Sequence, residues 1–76
     1  MKELVEYIAR AIVTNVDDVK VIEEVEGDGH IIIRLEVHQD DKGKVIGRQG
    51  RLAQAMRVIL RVAAIKDDSH VTLEIV

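Results

Sequence analysis

Met1, Leu4, Val5, Ile8, Ala11 and Ile12 recur at three- and four-residue intervals, which predicts an amphipathic helix over residues 2–13, with Thr14 and Asn15 beyond its end. The period then shortens to two. Val19, Val21 and Val25 fall on one side of an extended segment, with Lys20, Glu24 and Glu26 on the other. After the turn Gly27-Asp28-Gly29, Ile31, Ile33, Leu35 and Val37 alternate with His30, Arg34, Glu36 and His38, so a β-hairpin with one buried face is predicted. Beyond Asp40-Asp41 the period lengthens again. A short helix over 41–46 leads through a glycine-bounded turn into a long helix over 50–65. At about 100° per residue, Arg51, Gln54, Arg57 and Arg61 share a polar face of that helix, while Leu52, Ala55, Met56, Ile59, Val62 and Ala63 point away from it. Asp67-Asp68-Ser69 is a loop, and Val71, Leu73 and Ile75 alternate with His70, Thr72 and Glu74 in a last strand.

The resulting order, α-β-β-α-α-β, predicts an α+β fold in one domain over residues 1–76. Two helices separate the second and third strands, and a crossover of that length suits parallel pairing. The expected sheet is therefore three-stranded and mixed, with the helices on one face. At 76 residues the chain is near the lower limit for a self-sufficient core.

Composition narrows the chemistry. With no cysteine, disulfides, thiolate zinc sites and cysteine nucleophiles are excluded. The apolar runs Val58-Ile59-Leu60 and Val62–Ile65 are split by Arg61 and fall far short of the roughly 20 residues a membrane span needs. Glu3 and Glu6 interrupt the first turns, unlike a secretory leader, so a soluble, cytoplasmic protein is expected. The net charge of −3 hides an asymmetry: residues 1–40 hold four Lys/Arg against ten Asp/Glu, and residues 41–76 hold seven against four. Lys42, Lys44, Arg48, Arg51, Arg57, Arg61 and Lys66 follow one another with no acid between them. Such a segment is either a solvated basic face or a side turned toward a polyanion.

Gly47-Arg48-Gln49-Gly50 is the most informative stretch. Glycine costs about 1 kcal/mol relative to alanine in a helix, so two of them bounding a turn between helices imply a structural need. A turn without Cβ atoms lets backbone approach closely, and the first amides of the following helix attract phosphate. Lys44, Arg48 and Arg51 supply cations beside it. Neither the GxxxxGK[ST] phosphate loop nor a GxGxxG fingerprint directly after a strand is present, which argues against nucleoside triphosphate or dinucleotide chemistry.

Val45-Ile46-Gly47-Arg48-Gln49-Gly50, between a short and a long helix, resembles the VIGxxG signature of KH domains, and the element order resembles their bacterial, type II arrangement. The longer run GKVIGRQGRLAQAMR, in a chain that is all one such domain, is similar to the KhpA family of small bacterial RNA-binding proteins. The resemblance covers essentially all 76 residues. It implies that Gly47, Arg48, Gln49 and Gly50 clamp the backbone of about four nucleotides of single-stranded RNA, with the bases in an adjoining groove. It places Val45, Ile46 and the start of the long helix at the floor of that groove, and Lys44, Arg51 and Arg57 opposite phosphates. Ala53 stands where many KH domains carry a larger aliphatic residue, so weak sequence specificity is expected. The resemblance further implies an RNA chaperone or post-transcriptional regulator that forms a homodimer and a heteromer with a KhpB (Jag/EloR)-type RNA-binding protein, with links to cell-envelope homeostasis and cell length.

Other constellations carry less. Tyr7 is the one aromatic residue, so a base-stacking platform is not expected. His30, His38 and His70 lie on the polar parity of strands without ligand-like spacing, the three Asp-Asp pairs fall at element ends, and Ser69 has no base nearby in sequence. Neither an enzyme nor a metal or cofactor site is expected. Val58, Leu60 and Ala64 toward the edges of the long helix, with Ile22 and Ile32 on the outer parity of the sheet, are either core margin or an interface. An adaptor or dimerisation module with incidental RNA contact is therefore the alternative function.

Overall fold

The computed structural model describes residues 1–76. Helix α1 (Lys2–Ile12) is followed by strands β1 (Lys20–Val25) and β2 (His30–Glu36), helices α2 (Lys42–Ile46) and α3 (Arg51–Lys66), and strand β3 (His70–Ile75). Single 3-10 turns at Val16–Asp18, Gln39–Asp41 and Arg48–Gly50 join them. β2 is central. It pairs antiparallel with β1, with Val21 opposite Leu35, and parallel with β3, with Ile33 opposite Leu73. The mixed α+β sheet expected from the pattern is thus present.

Alternation along the strands turns Val21, Ile33, Leu35 and Leu73 toward the helices, where they pack with Val5, Ala9, Val45, Met56 and Leu60 in one core. Val25 departs from this pattern. It has the inward parity but is 66% exposed at the hairpin end of β1. The opposite sheet face carries Ile22 and Ile32 among charged side chains: Arg34 on β2 reaches Glu24 of β1 at 2.6 Å and lies 3.7 Å from Glu74 of β3, bridging all three strands.

α3 sits differently from its predicted face. Its buried residues are Ala53, Met56, Leu60 and Ala64, while Ala55, Ile59 and Val62, assigned inward by periodicity, are exposed. Leu60 and Ala64, assigned to the helix margin, are 2% exposed. The helix is rotated by about 100°, one residue's step. Ala53 and Ala64 end the buried stripe, and Met56 and Leu60 between them pack into the core. Because α3 is apolar on two sides, periodicity alone could not choose between them.

Asp41 is the one buried polar residue. Its carboxylate accepts hydrogen bonds from the Thr14 and Asn15 amides at 3.2 and 2.9 Å and from Asn15 Nδ2 at 3.0 Å. Lys44 Nζ lies 3.7 Å from the same carboxylate and donates to Thr14 Oγ1 at 2.5 Å. The base of α2 is thereby tied to the segment leaving α1. The Asn15 amide foremost, with the Thr14 amide, the Asn15 side chain and the Lys44 charge, holds the Asp41 carboxyl below the usual carboxylate range, against the opposing effect of burial.

No helix is long and apolar enough to cross a membrane.

Candidate nucleic-acid interface

α2 stops at Gly47, whose φ of 79° and ψ of 172° lie in a region that only glycine occupies readily. A Cβ there would also stand 2.7 Å from Leu52 Cβ and 2.9 Å from Leu52 N. Gly47 is therefore required twice, by its dihedrals and by the close passage of α3 beneath it. Gln49 and Gly50 follow in left-handed conformations, at φ 57° and 73°. A Cβ on Gly50 would meet nothing within 4 Å. The elbow is walled on its Gly47 side and open on its Gly50 side.

The turn faces solvent: Arg48 and Gln49 are exposed and the two glycines half-buried. Its amides are less bare than expected, since Gly50 N–H donates to Gly47 O at 3.1 Å and Arg51 N–H donates to Arg48 O. The cationic side chains are the stronger anion-attracting feature. Arg48, Arg51, Arg57 and Arg61 form no ion pair with any carboxylate of the chain. Gln49 Oε1 accepts a long hydrogen bond from Arg51 at 3.4 Å.

The expected site residues divide into three groups. Arg48, Gln49 and Arg51 are exposed with Gly47 and Gly50 at the turn, and Ile46, 40% exposed, stands beside them. Val45 is not a groove residue: it is fully buried, because the side of α2 that carries it faces the core. Ala53 likewise lies under α3 at 3% exposure, so its small side chain bears on helix packing rather than on an open groove. Lys44 is engaged behind the turn with Thr14 and Asp41. Arg57 lies further along α3, where its guanidinium donates to Leu73 O at 3.5 Å.

That contact locates the groove. β3 is an edge strand, and the Leu73 carbonyl faces away from β2 toward α3; by alternation the backbone groups of Val71 and Ile75 share that side. Arg57, Leu60 and Arg61 of α3 and Val71–Leu73 of β3 line a cleft of about 220 Å3. A basic helix side thus stands opposite the backbone donors and acceptors of an edge strand. Arg61 and the β3 edge are the parts that motif reading missed. The shared polar face of Arg57 and Arg61 was the available signal for the first, and the second needed the sheet order.

Residues 2–75 match the family model described as KhpA/KhpB, KH domain. Three curated relatives are each called RNA-binding protein KhpA. Those of Clostridium perfringens and Halalkalibacterium halodurans are 50% and 52% identical, with all of this chain and 100% and 99% of theirs aligned. That of Bacillus subtilis is 41% identical over 99% of this chain and 91% of its own. No solved structure matches the chain.

Proposed function

Since the chain belongs to the KhpA/KhpB KH-domain family, a family of RNA-binding proteins rather than enzymes, we propose that it binds single-stranded RNA in the cytoplasm and acts as an RNA chaperone or post-transcriptional regulator. The observation that carries this reading is the solvent-facing Gly47–Gly50 turn, flanked by Arg48 and Arg51 with no acidic partner, at the start of helix α3, whose later turns line the cleft against β3. The sugar-phosphate backbone runs over the turn, the guanidinium groups neutralise phosphates, and the bases lie between α3 and the β3 edge. Aliphatic contact and backbone hydrogen bonds replace aromatic stacking, and preference among sequences is weak.

A chain with one such clamp gains avidity by joining another. The outward stripe of Ala55, Val58, Ile59 and Val62 on α3 supports a homodimer and a heteromer with a KhpB-type RNA-binding protein, through which the chain is linked to cell-envelope homeostasis and cell length. The same stripe favours the second reading, an adaptor in which RNA contact is incidental.

The double substitution Arg48→Asp, Gln49→Asp separates the two readings. Asp tolerates the left-handed backbone at position 49, so the melting temperature stays close to that of the parent. RNA affinity falls at least tenfold. The parent's affinity depends on salt with a log-log slope of roughly −2 to −3, the value for three or four phosphates on a single strand, and the variant's slope is shallower. If KhpB-type partner capture is lost while RNA retention survives, the adaptor reading replaces this one.

A further inference from the structure

The largest concavity, about 470 Å3, lies beyond the groove just described, between the C-terminal half of α3 and the start of β3. It shares Arg61, Val71 and Thr72 with the smaller cleft beside Arg57, so the two form one continuous channel. Arg61 stands about 15 Å from Arg51 along the helix axis, at ten residues of 1.5 Å rise. The far cleft therefore occupies the end of the channel away from the glycine turn.

Its lining suits a nucleotide. No carboxylate lines it, and the Arg61 guanidinium has neither an ion pair nor a hydrogen bond within the fold. Ala64, Ile65 and Val71 provide an apolar wall, and the imidazoles of His30 and His70 provide flat, polar-edged surfaces. His30 is fixed in place, since its Nε2 lies 2.7 Å from Thr72 Oγ1 across the paired strands. A cation, an apolar wall and oriented polar rings are the elements with which a phosphate and a base are held together.

We propose that this cleft takes one further nucleotide of the same RNA strand, beyond those gripped at the turn, with its phosphate on Arg61 and its base against Ile65 and the imidazole pair. The inference rests on the RNA-binding reading. Continuity with the α3–β3 groove favours an extension of the bound strand over a separate small ligand.

The test is a length series, oligouridylates of four to eight nucleotides, titrated by NMR against the full chain and its Ile65→Ala variant, Ile65 lining the far cleft and not the cleft beside Arg57. Ile65 is 68% exposed and alanine favours helix, so the variant folds. A four-nucleotide site has four registers on a seven-mer, so affinity rises about fourfold from register counting alone. The parent is expected to exceed that gain at least threefold, with the Ile65 and Thr72 amides shifting for the seven-mer and not for the four-mer. Ile65→Ala removes the excess and leaves four-mer affinity within twofold. A parent gain no larger than register counting overturns the proposal, as does an equal loss at all lengths, which would make Ile65 part of the primary clamp. If no oligomer of any length binds, the RNA-binding reading fails as well.

Discussion

Behind the turn, toward α2, the structure leaves little free: Gly47 lies on Leu52, Val45 is buried, and Lys44 is tied to Thr14 and Asp41, which itself holds the Thr14 and Asn15 amides. In front, toward α3, Gly50 has open space and Arg48 and Arg51 have no acidic partner. Both halves come from one short motif, but they do opposite work. The rear half fixes where the elbow stands, and the front half leaves its donors uncommitted. A weakly binding clamp needs both, since a mobile elbow would lose ordering entropy on binding and a self-satisfied one would have nothing to offer.

If this division is right, substitutions behind the turn cost stability and substitutions in front cost affinity. The largest effect is expected for Gly47→Ala. The side chain would take a Gly-only backbone conformation and overlap Leu52, and a strain of this kind costs about 3 kcal/mol. For a domain of this size that lowers the melting temperature by roughly 10–20 °C. Calorimetry reads it directly, and a shift below a few degrees would show that the rear wall gives way more easily than its geometry implies.

Next is Asp41→Asn, smaller because the amide retains one acceptor oxygen for the Thr14 or Asn15 amide. Its signature is the dependence on pH. The folded carboxyl titrates below its unfolded value, so the stability it contributes is complete above the ordinary carboxylate range. That stability is lost as pH falls through the folded value. Melting temperatures of parent and variant should be well separated at pH 7 and converge as pH is lowered from about 5 toward 2. A separation that stays constant over that range would exclude the carboxylate charge as its source.

The legibility of the two halves in sequence differed for physical reasons. Element order, the hairpin and the glycine turn follow from local periodicity and glycine chemistry, and these were readable. Which side of α3 faces inward was not, because Ala55, Ile59 and Val62 compete with Ala53, Leu60 and Ala64, and only close packing against the sheet decides. Val45 was misread for a related reason, since the motif names a residue without the direction of its side chain. Asp41 looked like one member of an Asp-Asp pair at an element end, and its partners at Thr14 and Asn15 are 27 and 26 residues away. Exposed arginines were legible as charge, whereas the groove they line depends on β3 being an edge strand.

Of these three substitutions Gly50→Ala is expected to change stability least, and it sharpens the comparison most. The left-handed backbone at Gly50 costs alanine about 1 kcal/mol, and no atom obstructs the new methyl group, so the melting temperature falls by only about 4–8 °C. The methyl group nevertheless projects from the open side of the elbow, where the proposed function brings the nucleic-acid backbone close. RNA affinity should therefore fall several-fold at a temperature where the variant is fully folded. Gly47→Ala, assayed cold enough to remain folded, should lose proportionately less affinity for each degree of melting temperature lost. Equal ratios of affinity loss to stability loss at the two glycines would mean that the turn acts as one rigid unit, with no division between its support and its open face.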